Sequence, residues 1–116
     1  MAEFLLAVHH QPGVHAAEAA YDDADAIQEA FGKVGAFNQH LMDEDRFVYA
    51  CGLVAPEQAT IVTKDGAESG PINAEGWQLG GFWVKRAEDE EEARELASAA
   101  AEACGQTIEL CQMQGA

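Results

Sequence analysis

The stretch LGGFWVK at residues 79–85, followed by the acidic run EDEEE at residues 88–92, decides the fold class of this chain. Aromatic residues and valine in 79–85 are typical of a strand, and adjacent glycines inside a strand indicate a bulge or a close approach of another backbone. Acidic residues favour the positive end of a helix dipole, so a helix should begin near residue 88. Its apolar positions recur every three to four residues up to Gly105, which is suited to end it. Residues 107–113 then predict a last strand.

The first half of the chain carries the same order of strand, helix and strand. An apolar run at residues 4–8 predicts the first strand, and an apolar stripe over residues 27–41 predicts an amphipathic helix. Residues 47–51 and 59–63 predict two further strands. The Asp-Gly pair at residues 65–66 predicts a hairpin turn that leads into a short, irregular strand.

This order predicts one α+β domain over residues 1–116, a ferredoxin-like antiparallel sheet with two helices on one face. The strands are apolar on both sides: within residues 47–51, the odd-numbered side chains are expected on one face and the even-numbered on the other. Two helices cover one face only. We therefore expect a second copy of the chain to cover the other face, which gives a homodimer.

The composition excludes several classes of partner. Asp and Glu number 21 against 6 Lys and Arg, a net charge of -15. Clustered Lys and Arg would be needed to bind nucleic acid, and repulsion disfavours an anionic membrane surface. No apolar run approaches the roughly 20 residues of a membrane span and no signal peptide is recognisable, so we expect a cytoplasmic protein. The acidity is consistent with a solubility requirement and equally with a high-salt cytoplasm.

The three cysteines do not indicate a redox or metal centre. The spacing of Cys51, Cys104 and Cys111 matches neither a C-x-x-C pair nor a zinc ligand set. We expect all three to be buried, reduced thiols, although Cys104 and Cys111 are close enough in sequence to approach one another. The sequence indicates no cofactor and no metal.

Two stretches resemble the YCII-related family, and in particular its DGPF branch. Residues 35–53 resemble the first helix of that family running into its second strand, and residues 69–82, SGPINAEGWQLGGF, resemble a signature close to D-G-P-F-A-E-T-K-E-Q-L-G-G-[FY]. The resemblance covers nearly the whole chain. It implies a dimeric α+β barrel with a cleft between helix and sheet, and links to lyase or dehydrochlorinase chemistry on small aromatic compounds or to sigma-factor regulation.

The resemblance also implies a catalytic His-Asp pair in some members, and this chain departs from it. The Asp of the signature corresponds to Ser69, and the His corresponds to a position near Val34. A proton-transfer pair needs a titrating group within hydrogen-bond reach of its partner, which Val34 and Ser69 do not supply. Catalysis by that pair is therefore not expected.

Histidines near the end of the first strand are the alternative candidates for a base. His9 and His10 end the strand and His15 follows a short loop. Polar groups at strand ends often line a cleft, and a neutral histidine near pH 7 suits proton transfer. The competing interpretation is that they are hydrogen-bonded or solvent-facing side chains. A metal site made from the three would need a further ligand, and His40 is expected to face solvent.

Ser69, Gly70, Glu75 and Trp77 are the ligand-binding candidates, because they belong to the signature loop around its Gly-Pro turn. The hydroxyl of Ser69 is able to orient a ligand, or else it only forms the turn. Trp77 is expected to cover a pocket or to close the dimer. The glycines at 80–81 allow either a ligand or a helix to come close to the backbone.

Three functions follow. The first is a small-molecule-binding YCII-like homodimer, catalytic or not, with a cleft formed by the first strand, the first helix and the loop from Ser69. The second is a lyase-, dehydrochlorinase- or isomerase-type enzyme for a small organic acid or aromatic compound, with His9, His10 or His15 as base. The third is a partner-binding accessory domain, for example in sigma-factor regulation.

The enzyme hypothesis predicts a pocket that contains a histidine hydrogen-bonded to a carboxylate. The binding hypothesis predicts an apolar cleft whose polar groups do not converge, and the accessory hypothesis an exposed apolar patch outside the dimer contact.

Overall fold

The structure, a computed structural model, describes residues 1–12 and 24–115. His15 and the residues just before the first helix lie outside the described residues. The elements are β1 (Ala2–His10), α1 (Ala24–Asp43), β2 (Phe47–Gly52), a 3-10 helix (Pro56–Gln58), β3 (Thr60–Thr63), β4 (Gly66–Ser69), β5 (Gln78–Ala87), α2 (Glu90–Cys104) and β6 (Thr107–Gln112). The predicted order of strands and helices is confirmed.

The four long strands form one antiparallel sheet in the order β2-β5-β1-β6, and β3 and β4 form a separate hairpin. Without the hairpin, the chain order is β-α-β-β-α-β, so the fold is α+β and broadly ferredoxin-like. The shortest axis of the molecule is 18 Å, the depth of one helix layer on one sheet. Among the described residues, neither helix has the length and apolarity needed to cross a membrane.

The side of the sheet that faces the helices, here called the helix face, carries the core. Leu6 and Leu41 are fully buried, and the rings of Phe37 and Trp83 meet edge-on with 5.5 Å between centroids. Trp83 donates its Nε1–H to Oδ1 of Asn38 at 2.6 Å, which satisfies the polar atom of a buried indole. The helix α2 joins the same core through small side chains: Ala93, Ala97, Ala100 and Ala103.

The helix α2 is capped at both ends, by Asp89 from the predicted acidic run and by Gly105, the predicted stop. Asp89 accepts a hydrogen bond from the backbone N–H of Glu92 at 2.8 Å, and the acidic first turn suits the helix dipole. Gly105 has φ 71°, in the left-handed region that favours glycine, and its N–H donates to the carbonyl of Ala101. The predicted C-terminal stop is confirmed.

The opposite side of the sheet, here called the open face, is covered by neither helix. Side chains alternate between the two faces along each strand. The open face therefore carries apolar side chains at its centre and polar ones toward β6: Leu5, Ala7, Tyr49, Cys51, Phe82, Val84, Glu109 and Cys111. Tyr49 is 55% exposed, so in a single subunit much of this surface meets water.

A bulge in β2 overturns one sequence expectation. The register of β2 against β5 shifts between Phe47 and Tyr49, so one extra residue is inserted at Val48. As a result Phe47 and Ala50 both pack against the core, whereas Tyr49 and Cys51 lie on the open face. The expectation that the odd-numbered side chains of this strand share one face was wrong.

Whether each cysteine is buried or exposed depends on the side of the sheet on which it lies. Cys104 is buried on the helix side, but Cys51 and Cys111 are exposed. None of the three is in a disulfide. The expectation of three buried thiols was right only for Cys104, because the other two lie on the face without helices.

Candidate functional site

The loop between β4 and β5 is held in shape by Asn73. Its Oδ1 accepts from the N–H of Gly76 at 2.9 Å, its Nδ2 donates to the carbonyl of Trp77 at 3.2 Å, and its own carbonyl accepts from Nε2 of Gln78 at 3.0 Å. Gly70 opens the loop with φ 104°, a conformation that side chains rarely adopt. The loop thereby fixes the backbone on both sides of Trp77.

A cavity of about 760 Å³ lies between this loop, the β3–β4 hairpin and the adjoining ends of β1 and β5. We call it the hairpin cavity. Small-molecule sites are typically about 300–1,000 Å³ and mostly apolar, with a few polar groups. The apolar part of the lining consists of Leu53, Val54, Ala55, Pro56, Ala59, Ile61, Val62, Pro71, Ile72, Trp77 and Leu79. The polar part consists of His9, Thr60, Asn73 and Gln78, so the described lining holds no Lys, Arg, Asp or Glu.

His9 is the titratable side chain of this lining, and Glu109 orients its ring. The distance from Nε2 of His9 to Oε1 of Glu109 is 3.0 Å. Because an ionised carboxylate only accepts hydrogen bonds, Nε2 carries the hydrogen, and Nδ1 of the neutral ring is left as an acceptor. Nδ1 is buried and has no hydrogen-bond partner within the described part of the chain. The histidine side chain is 21% exposed and that of Glu109 is 63% exposed.

The pairing of β1 with β6 brings these two residues together across one hundred positions of sequence. His9 lies opposite Thr107, and Ala7 lies opposite Glu109, so His9 and Glu109 are diagonal neighbours on the open face. His9 was predicted from the sequence, but Glu109 was not. Strand order decides that contact, and the local pattern around Glu109 gives no signal for it.

His10, the other described candidate for a base, is not part of this pair. Nδ1 of His10 is 3.1 Å from the carbonyl oxygen of Gln11, and its ring packs against Gly80. His10 does not line the hairpin cavity. His15 lies outside the described residues. His40 is exposed on α1, as the sequence predicts.

The structure divides the four predicted ligand-binding residues into two groups. Gly70 and Trp77 line the hairpin cavity. Ser69, the last residue of β4, and Glu75 do not line it, and both are exposed. The β3 strand and the 3-10 helix contribute much of the wall, although neither belongs to the predicted site.

A second cavity of about 480 Å³, here called the helix cavity, lies between α1 and the helix face. Phe31, Val34 and Asn38 of α1 line it together with Cys104, whose thiol pKa is raised by burial. Val34, near the position where the resemblance would put a histidine, lines this mostly apolar space. The expected single cleft is thus divided, because α1 lines the helix cavity whereas His9 and the Gly70–Trp77 loop line the hairpin cavity.

The glycines at 80–81 have a packing role that the sequence only partly anticipated. A Cβ on Gly80 would lie 2.7 Å from the His10 ring, and a Cβ on Gly81 would lie 2.9 Å from the carbonyl oxygen of Cys51. The register of β1 against β5 also shifts next to them, as expected for a bulge. Their closest neighbours are therefore a side chain of β1 and the backbone of β2, and not a helix.

Within residues 1–12 and 24–115, no group of three His, Cys, Asp or Glu side chains is placed to hold a metal ion. Comparison of the chain with protein-family models and with curated proteins finds no match. The resemblance to the YCII-related family therefore stays a prediction from the sequence.

Proposed function

We propose that this chain is a small-molecule-binding, homodimeric domain of the YCII-related type, and that its ligand occupies the hairpin cavity. The observation that supports this most directly is a mostly apolar cavity of about 760 Å³ whose few polar lining residues include His9. A large apolar wall with few placed polar groups is the usual composition of such a site.

The lining also sets the chemical class of the ligand. The described lining holds no Lys, Arg, Asp or Glu, and burying an unpaired charge in such a site is costly. We therefore propose an uncharged compound of one or two rings with a single polar group. Trp77 provides an aromatic surface against which a ring can stack.

Titration followed by two-dimensional NMR tests this proposal. The uncharged probes β-tetralone and β-naphthol should shift amide resonances around the hairpin cavity, and the anion β-naphthoate should bind at least about tenfold more weakly. Trp77→Ala should weaken binding of β-tetralone. The matched control is Phe31→Ala, an exposed aromatic residue that lines the helix cavity. Weakening by Phe31→Ala alone would place the ligand at the helix cavity and contradict the proposal.

The dimeric part of the proposal rests on the open face. Leu5, Phe82 and Val84 form an apolar centre, and the ring of Tyr49 lies 6.1 Å from that of Phe82. An identical face is self-complementary under a two-fold axis, and two such sheets would shelter each other. His9 and Leu79 belong both to this face and to the hairpin cavity, so dimerisation would take place beside the ligand.

Sedimentation at micromolar concentration tests the dimer. Val84→Arg at the centre of the open face should convert the dimer to a monomer, because it would bury an unpaired charge in the contact. The control Met42→Arg, on the exposed side of α1, should leave the dimer intact. A wild-type chain that sediments as a monomer would rule out this part of the proposal.

A further inference from the structure

We infer that His9 and Glu109 form a proton-transfer pair that acts on a compound bound in the hairpin cavity, an inference that rests on the proposed binding function. The pair joins the end of β1 to the middle of β6 and lies on the open face. Both positions differ from Val34 and Ser69, which correspond to the pair of the family.

The geometry assigns a different role to each residue. The 3.0 Å contact fixes the imidazole through Nε2, and the lone pair on Nδ1 is left as the basic site. When Nδ1 takes up a proton, the ring becomes a cation, and the adjacent carboxylate stabilises that charge. His9 is the catalytic residue. Glu109 acts only through the ring of His9, so it is a positioning residue.

The surroundings of the ring suit a base that is protected from bulk water. His9 lines the cavity, but Nδ1 itself has no accessible surface in the ligand-free protein. Catalytic contacts are commonly incomplete before the substrate binds, so substrate binding must move the His9 ring or a neighbouring side chain to bring Nδ1 to the substrate. Exclusion of water prevents the proton from being lost to solvent during the reaction.

The cavity chemistry favours an uncharged carbonyl compound as substrate. Nδ1 removes a proton from the carbon next to the carbonyl, and the electron pair of the broken C–H bond moves onto the carbonyl oxygen. Return of the proton from Nδ1, to the same carbon or to a conjugated one, re-forms the carbonyl group. The cycle consumes no other reactant. The reaction class is therefore an isomerase-type proton shift, consistent with a lining that has no charged group to anchor an acid.

Exchange of the α-protons of β-tetralone in heavy water, followed by proton NMR, measures this step directly. The wild-type protein should accelerate the exchange over buffer. His9→Asn should reduce the acceleration by about a hundredfold or more, the size of general-base catalysis. Glu109→Gln should lower kcat by about tenfold with little change in KM, because the ring loses its orienting charge but the cavity wall is unchanged. The controls His40→Asn and Glu95→Gln remove an exposed histidine and an exposed carboxylate of the helices, and they should match the wild type.

The outcomes separate this inference from the binding proposal. If β-tetralone shifts the resonances of the hairpin cavity but exchanges no faster than in buffer, the pair is not a proton-transfer site and binding stands. If neither binding nor exchange is seen, both proposals fail. Acceleration that survives His9→Asn would assign the reaction to another base and overturn the inference. If His9→Asn does not fold, Glu109→Gln decides: an unchanged kcat contradicts the pair.

Discussion

The two faces of the same sheet place neighbouring residues in very different environments. Leu6 on the helix face is completely buried, whereas Leu5 beside it on β1 lies on the open face and is half-buried. The helix face encloses even a lysine, Lys85, which has no exposed surface. The open face carries the His9–Glu109 pair at its β1–β6 side. Packing fixes the groups on the helix face, and those on the open face remain available to a ligand or a second copy.

Truncation of Leu5 and of Leu6 tests this contrast, and it is expected to have the largest effect on the free energy of unfolding. Leu6→Ala should lower the free energy of unfolding by about 2–5 kcal/mol, because it leaves a cavity in a packed core. Leu5→Ala should cost much less in the single subunit, since its side chain is only half-buried. Urea unfolding at two protein concentrations provides the measurement. If Leu5 belongs to a dimer contact, its cost should rise with concentration. Equal costs for both substitutions at low concentration would contradict the contrast.

Lys85 provides the second test, because its burial makes the stability depend on pH. Burial lowers the pKa of Lys85 from 10.5 to about 8, although Glu92 partly opposes the change. Nζ donates to the carbonyl of Ala93 at 2.7 Å, so the amino group has a partner inside the core. Between about pH 8 and 10.5 the unfolded chain keeps a proton on this lysine that the folded chain has lost. Stability should therefore rise with pH across this window, by up to about 3 kcal/mol from this group.

Substitution of Lys85 by Met isolates that contribution. The difference in unfolding free energy between wild type and Lys85→Met should change steadily in favour of the wild type as the pH rises through the window. The control Lys33→Met removes an exposed lysine of α1, and its difference from wild type should stay flat. A flat difference for Lys85→Met as well would mean that the amino group reaches water in the folded protein.

Sequence reasoning succeeded where a residue's role depends on its near neighbours. The helix α1, the acidic start and the Gly105 stop of α2, and the Asp-Gly turn of the hairpin are all encoded within a few positions. These local signals are sufficient for the order of elements and for the α+β class. They also correctly identified an unusual backbone at the glycines of β5.

The same reasoning failed where a role depends on how distant strands meet. The bulge at Val48 depends on the pairing of β2 with β5, and it reversed the expected facing of that strand. Glu109 becomes the partner of His9 only because β6 lies next to β1. Ser69 and Glu75 were chosen by their place in a motif and stay predictions; of the four ligand-binding candidates, Gly70 and Trp77 line the hairpin cavity. The pattern of one strand contains no information on its register with another.

A smaller effect on stability is expected at the contact of β5 with β2, where one glycine is closely packed and the glycine that pairs with it has free space. Gly81 pairs with Gly52. A Cβ on Gly81 would lie 2.9 Å from the carbonyl oxygen of Cys51, whereas a Cβ on Gly52 would meet no heavy atom of the described residues within 4 Å beyond its chain neighbours. Gly81→Ala should destabilise by about 1–3 kcal/mol, because backbone must move. Gly52→Ala should be neutral or slightly stabilising, since it restricts the unfolded chain. Thermal unfolding of both variants provides the comparison, and equal midpoints would mean that the two strands separate more easily than the fold indicates.

The smallest effect on the thermal midpoint is expected from substitution of two carboxylates, one on each side of the sheet. Glu92 in α2 accepts hydrogen bonds from Nε and Nη2 of Arg46 at 2.8 and 3.3 Å, and one from the backbone N–H of Glu88 at 3.1 Å. The Arg46 guanidinium first, and then the Glu88 N–H, hold the pKa of Glu92 below its ordinary value. This stabilisation is therefore present above the carboxyl group's ordinary pKa and is lost as the pH falls through the lowered one. Both side chains reach solvent, so Glu92→Gln should reduce the thermal midpoint only modestly at neutral pH and less in acid.

Glu109→Gln is the counterpart on the open face, and the two variants together separate a structural carboxylate from a functional one. Glu109 is 63% exposed and its partner is the His9 ring. Its substitution should leave the thermal midpoint near that of wild type, and only the exchange of β-tetralone protons should fall. Glu90→Gln, which removes an exposed carboxylate paired with Arg94, shows the effect of charge alone. If Glu109→Gln destabilises the fold as much as Glu92→Gln and leaves the exchange unchanged, then Glu109 serves to join β1 to β6. In that case the two faces differ in coverage and not in function.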